Sequence, residues 1–159
     1  MRLNTSLGLP FVLLLCACAS GQGGGEKGHA LASGPDLPSL FFKSGQPARD
    51  AELMDALDDR LTDPDKVLGG VVQAAKANPE VRIEISGHAD LEECKAVDCR
   101  DLSRRRAKAV HDWLRTHGVS ESALAAPKGY GHDRAIAADS TDSGRTYNRR
   151  VEFSLIWTR

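Results

Sequence analysis

Val81-Arg82-Ile83-Glu84-Ile85-Ser86-Gly87-His88-Ala89-Asp90 is the stretch that points most directly to a fold. Apolar and polar residues alternate from Val81 to Ser86, the period of a strand with one buried face. Gly87 to Asp90 end the strand, and a polar loop carrying Cys94 and Cys99 follows. Residues 103–117 then read as a strong amphipathic helix, with Gly118 placed as its C-cap. Upstream, Leu40-Phe41-Phe42 reads as a first strand closed by Gly45 and Pro47. Leu53, Met54, Leu57 and Leu61 recur at helical spacing, and Asp63-Pro64 resembles an N-cap followed by proline at the first helical position. Val67, Leu68, Val71, Val72 and Ala75 continue an apolar face until Asn78-Pro79 stops it. Downstream, Leu124 to Ala126 is a candidate short strand and Gly129-Tyr130-Gly131 a turn. The last strand places Val151, Phe153, Leu155 and Trp157 on one face. Helices alternating with few strands predict an α/β (α+β) two-layer sandwich with a small mixed sheet.

The 159 residues suit one domain with a tail. Apolar residues at 41% and charged residues at 27% exclude wholesale disorder and a multi-span membrane protein. A formal charge of −1 offers no basic face for nucleic acid. The start of the chain is an address. Arg2 precedes an apolar run, Leu7 to Leu15, that is too short to span a bilayer and fits a secretory signal. Leu15-Cys16-Ala17-Cys18 resembles a lipobox, in which a small residue precedes the cysteine that is acylated. Ala17 makes Cys18 the better candidate than Cys16, which follows bulky Leu15. Acylation, palmitate included, would anchor the chain in a membrane. The expected division is residues 1–17 as lipoprotein signal peptide, 18–38 as a flexible Gly/Pro linker, and 39–159 as the folded domain.

One arginine stands where an apolar residue is due. On a wheel at about 100° per residue, Leu102, Ala109, Trp113, Val110 and Leu114 define the buried arc of the 102–117 helix. Arg106 falls near the middle of that arc, and its guanidinium must therefore be paired. Three readings stay open: a stem that packs while its head snorkels to water, an internal salt bridge to Asp90, or a guanidinium held at a cleft for an anionic group. Asp90 lies just past a strand end, where ligand sites tend to form. A carboxylate and a guanidinium at one end of such a unit suit a zwitterion.

Four blocks then occur in order: Ile83-Glu84-Ile85-Ser86-Gly87-His88-Ala89-Asp90, Leu102-Ser103-Arg104-Arg105-Arg106-Ala107, Gly129-Tyr130-Gly131 and Asn148-Arg149-Arg150-Val151-Glu152. Together they resemble the OmpA-like peptidoglycan-binding domain, and the lipobox adds similarity to peptidoglycan-associated lipoproteins. The resemblance implies a β-α-β-α-β-β sandwich that binds the diaminopimelate residue of wall stem peptides. By motif position, Asp90 would take the ligand's ammonium and Arg106 its carboxylate, with Ala89, Leu102 and Gly45 as secondary contacts. The chain departs from the pattern in a loop about one residue longer before Leu102, in Cys99 where the family often has asparagine, and in a longer region before Val81.

In an exported protein, Cys94 and Cys99 are expected to pair as a disulfide. The rival is a metal site using both with His88 and Glu92 or Glu93, although the spacing lacks the paired zinc pattern. The acidic residues between 50 and 65 lack EF-hand order and read as a solvated face. His111 is expected on the polar arc of its helix. No histidine has a nucleophile or acid arranged for catalysis, and no cofactor is implied. The function that follows is non-enzymatic tethering of the outer membrane to the wall, lipid at one end and peptidoglycan at the other, with the domain facing the periplasm. Asp90→Ala or Arg106→Ala is expected to abolish wall binding while sparing thermal stability. The alternatives are the same fold serving an envelope protein partner in a trans-envelope complex, or an enzyme acting on wall peptides or envelope thiols.

Overall fold

The computed structural model describes residues 37–49 and 51–157. The expected signal peptide, Cys18 and most of the linker lie outside the described residues. Four strands form one mixed sheet in the order β1-β4-β2-β3, from β1 (Leu40–Phe41), β2 (Val81–Gly87), β3 (Lys128–Gly129) and β4 (Arg150–Trp157). The long pair is antiparallel, β2 against β4, running from Val81 opposite Trp157 to Gly87 opposite Val151. On the flanks, β1 pairs antiparallel with β4 and β3 parallel with β2.

Val81, Ile83 and Ile85 are buried while Arg82 is exposed and Glu84 half-buried, so β2 carries a covered face and an open one. The covered face meets α2 (Pro64–Ala77) and α4 (Cys99–Thr116). Leu68 and Val71 of α2, Val110 and Leu114 of α4, and Phe42, Ile83, Ile85 and Val151 share one core. Asp63 caps α2 by accepting from the Lys66 N–H at 3.3 Å, with Pro64 in the first turn as its residue types require. Gly118, at φ +87°, follows the last turn of α4.

Several expectations are corrected. The first helical stretch is shorter than its apolar spacing suggests: α1 spans only Leu53–Ala56, because Leu57 turns extended and bridges Phe42. The third strand is Lys128–Gly129, not 124–126; Leu124 makes a single bridge to Ile83 after a 3-10 turn, Glu121–Ala123. The supposed polar loop after Asp90 contains a helix, α3 (Leu91–Ala96), and α4 begins at Cys99 rather than near 103. A further short helix, α5 (Asp142–Asn148), leads into β4. His111 is 7% exposed rather than solvated, and its ring lies 3.9 Å from Glu121 of the 3-10 turn.

Candidate functional site

Asp90 stands where β2 ends and α3 begins, and it does two jobs. Its Oδ1 accepts from the Glu93 N–H at 2.8 Å, and Glu93 Oε2 accepts in return from the Asp90 N–H at 3.2 Å. This reciprocal box starts α3. Asp90 Oδ2 accepts from Arg149 Nη1 at 2.8 Å. Arg149 is itself held by donating to the Phe42 carbonyl at 3.1 Å and to Thr146 Oγ1 at 2.9 Å. Asp90 is 1% exposed and Arg149 8% exposed.

Arg106 reaches the same place from α4. It is fully buried, as its place on the apolar arc implies, and its stem passes Phe42, whose ring centroid lies 5.3 Å from the guanidinium carbon. Nε donates to the Gln46 carbonyl at 2.7 Å, and Nη1 to the His88 carbonyl at 2.8 Å. The two-pronged face is taken by Glu93: Nη1 donates to Oε2 at 2.9 Å and Nη2 to Oε1 at 2.6 Å. Nη2 also points to the Lys43 carbonyl at 3.4 Å. The Arg106 pairing is therefore internal, as one sequence reading allowed, but the partner is Glu93 and not Asp90.

Glu93 completes a cradle. Its Oε1 accepts from the Gly45 N–H at 2.7 Å as well as from Arg106. Gly45 has φ +71°, a left-handed conformation suited to glycine, in the turn closed by the Gln46 N–H on the Lys43 carbonyl at 3.2 Å. One carboxylate thus receives two backbone N–H groups and both prongs of a guanidinium, a strong geometry for a carboxylate. Two carboxylates and two guanidiniums, from Asp90, Glu93, Arg106 and Arg149, balance in charge at one end of the sheet.

Of the residues expected as secondary contacts, Gly45 reaches the cradle through its N–H. Ala89 is 1% exposed and donates its N–H to the Gly131 carbonyl at 2.9 Å, and Leu102 is a buried residue of α4. The motif blocks meet as joints around the site. Gly131 N–H donates to Ser103 Oγ at 2.8 Å, and Asn148 accepts from the Ile136 N–H at 2.9 Å and donates to Asp139 at 3.1 Å. Asp139 also accepts from the Leu91 N–H at 3.0 Å, at the start of α3. Cys94 of α3 and Cys99 of α4 are joined in a disulfide, so the thiols of the rival metal set are bonded to each other.

Sequence reasoning left Glu93 without a role in the pocket and Arg149 as a motif residue only. The signal for Glu93 was Asp90-Leu91-Glu92-Glu93, an N-cap type followed three residues later by glutamate. Behind the site, His88 is 1% exposed, stacks on Tyr130 with centroids 5.6 Å apart, and lies 3.5 Å from Glu152. Burial first, then the Arg150 and Arg134 charges, hold His88 below its ordinary pKa. His88 and then Arg150 draw the Glu152 carboxyl down to about 2, against its partial burial.

Residues 42–149 match the model of the OmpA family. Among curated relatives, outer membrane porin F of Pseudomonas fluorescens is 40% identical over 77 residues, covering 48% of this chain and 23% of the relative. The peptidoglycan-binding protein ArfA of Mycobacterium tuberculosis H37Rv is 37% identical over 87 residues, covering 55% of this chain and 26% of ArfA. The probable lipoprotein YiaD of Escherichia coli K12 is 35% identical over 88 residues, covering 55% of this chain and 39% of YiaD. The chain therefore spans well under half the length of these relatives. The crystal structure of the peptidoglycan-associated lipoprotein from Burkholderia pseudomallei superposes with a TM-score of 0.56 at 22% identity, over 74% of this chain and 88% of that one. This likeness shows the fold.

Proposed function

The chain belongs to the OmpA family, and from that membership we propose that it is a non-enzymatic envelope lipoprotein that ties the outer membrane to the cell wall. In this reading Cys18 carries the lipid and residues 18–38 are the tether. The domain from residue 39 onward binds the diaminopimelate of peptidoglycan stem peptides. The relatives ArfA, named for peptidoglycan binding, and YiaD, named as a probable lipoprotein, support the two ends of the tether. The relative named as an outer membrane porin supports the compartment.

The observation that carries the ligand assignment is the cradle itself. A buried guanidinium, backed by the Gly45 and Asp90 N–H groups, grips a carboxylate with both prongs. Asp90 beside it supplies a carboxylate of the kind that would receive an ammonium. A diaminopimelate end carries both groups on one carbon, which suits such a pair. Each charge-assisted bond contributes about 1.5–3 kcal/mol, so a single stem peptide binds modestly and a dense wall of identical ligands raises occupancy.

The test is co-sedimentation with diaminopimelate-type sacculi. Arg106→Lys keeps the charge but loses the fork; Asp90→Asn keeps a capping oxygen but loses the charge. Both variants, shown folded by circular dichroism, are expected to stay in the supernatant while the parent pellets. Free meso-diaminopimelate should release the parent, and Nα-acetyl-lysine, in which no carbon carries both an ammonium and a carboxylate, should not. Folded variants that pellet like the parent reject the site. Intact mass of the membrane-extracted protein tests the anchor: cleavage before Cys18 and added acyl mass are expected.

A further inference from the structure

Glu93 is the only buried residue of α3; Leu91, Glu92, Lys95 and Ala96 are exposed and Cys94 is half-buried. Helices normally dock through an apolar stripe. This one docks through a single carboxylate, 5% exposed, whose two oxygens take four donors: the N–H groups of Gly45 and Asp90 and both prongs of Arg106. All of these donors suit a free carboxylate equally well. The α3 backbone is otherwise fastened at its ends, by the Asp90 cap and the Leu91 N–H on Asp139 at one, and near the other by Cys94 bonded to Cys99.

We propose that Glu93 is a built-in occupant of the carboxylate seat on Arg106, in direct competition with the carboxylate of an incoming ligand. This inference deepens the wall-binding reading and rests on it for the identity of the ligand. Binding exchanges one carboxylate for another on the same four donors, with Glu93 turning outward on α3, whose Leu91, Glu92, Lys95 and Ala96 are already exposed. The released carboxylate regains hydration, so the exchange leaves no buried charge without a partner. Glu93 thereby sets the affinity of the site downward and favours ligands presented at high local concentration, as in a wall. A purely structural Glu93 makes the opposite prediction: its removal would cost stability and gain nothing in binding.

The experiment uses Glu93→Ala and Glu93→Gln in the full-length protein. Glu93→Ala leaves Arg106 buried with an empty seat, so its Tm is expected to fall. Sodium formate should then raise that Tm more than sodium chloride at equal ionic strength, with no such difference in the parent. Affinity for meso-diaminopimelate by calorimetry is expected to rise about ten-fold or more in the variant, the share that one charge-assisted hydrogen bond commands. Should Glu93→Ala not fold even in formate, Glu93→Gln decides, since it keeps the volume and loses the charge. A Glu93→Gln affinity equal to or below the parent overturns the proposal. So does a folded Glu93→Ala that formate does not rescue and that binds no more tightly. If the variants gain formate and meso-diaminopimelate binding but neither they nor the parent pellet with sacculi, the seat stands and the wall-binding reading fails. If the parent pellets with sacculi and the variants gain nothing, the reading stands and the seat fails.

Discussion

Replacing Asp90 separates a site effect from a folding effect, and the structure sets the sizes. Asp90→Ala removes the oxygen that caps α3 at 2.8 Å, a loss of about 1 kcal/mol. It also strips Arg149, 8% exposed, of the carboxylate it donates to at 2.8 Å. Breaking a buried pair by removing one side costs about 3–5 kcal/mol, because the remaining charge is left without compensation. Together the two losses come to about 4–6 kcal/mol, and at roughly 4 °C per kcal/mol for a domain of this size a Tm loss of about 16–24 °C is expected. The expectation that this substitution spares stability therefore does not fit a carboxylate that is 1% exposed. Loss of wall binding by Asp90→Ala alone would say little about ligand contact. Asp90→Asn keeps a capping oxygen and isolates the charge, and Arg149→Met removes the other partner. Urea titrations of both singles and the double give the coupling, expected at about 1–3 kcal/mol in favour of the pair. A Glu93→Gln background should leave that coupling largely intact, since Arg149 does not touch Glu93. An Asp90→Ala loss below about 1 kcal/mol, or a coupling near zero, would refute the buried pair.

Three further outcomes can be checked. Cys94→Ser/Cys99→Ser opens a short loop, the two positions being five apart, and chain entropy puts the loss near 2 kcal/mol; an unchanged urea midpoint for the oxidised parent with and without reductant would contradict a bonded pair. Stability should fall on acidification in two steps. His88 has its pKa lowered by burial, so the unfolded chain gains its proton first as pH drops below about 6.5. Glu152 then loses its contribution as pH falls from its ordinary range toward about 2. A Tm that stays flat from pH 7 to 5 in the parent, or a His88→Gln variant with an unflattened profile in that window, rejects the first step. Gly87→Ala would set a Cβ 1.9 Å from the Ser103 carbonyl oxygen, so β2 and α4 must part and the loss should reach about 3 kcal/mol or more by calorimetry.

What the sequence made legible follows from where apolar residues were doing the packing. The alternation of Val81, Ile83 and Ile85 marks β2 because its open face is polar, and Asp63-Pro64 marks α2 because a cap has few other uses. Arg106 stood out for the same reason: a charge on an apolar arc breaks a pattern and so announces itself. Its partner did not, because Glu93 belongs to a helix that has no apolar stripe to announce. β3 was equally hidden, being two residues, Lys128 and Gly129, defined by pairing with β2 and by nothing in their own types. His111 was misplaced because a wheel sees only its own helix, and burial by neighbouring elements leaves no mark on it. Hydrophobic periodicity thus finds the scaffold and the exceptions to it, but not polar elements that pack only through charge. For such elements local hydrogen-bond grammar is the better guide. Asp90 and Glu93 stand three apart directly after a strand end, and that spacing alone commits the Glu93 backbone to the pocket's rim. Once the rim is fixed, a buried arginine on the neighbouring helix makes the glutamate the nearest compensation. A capping box opening beside an unpaired core arginine is thus itself a sequence signature for an occupied anion seat.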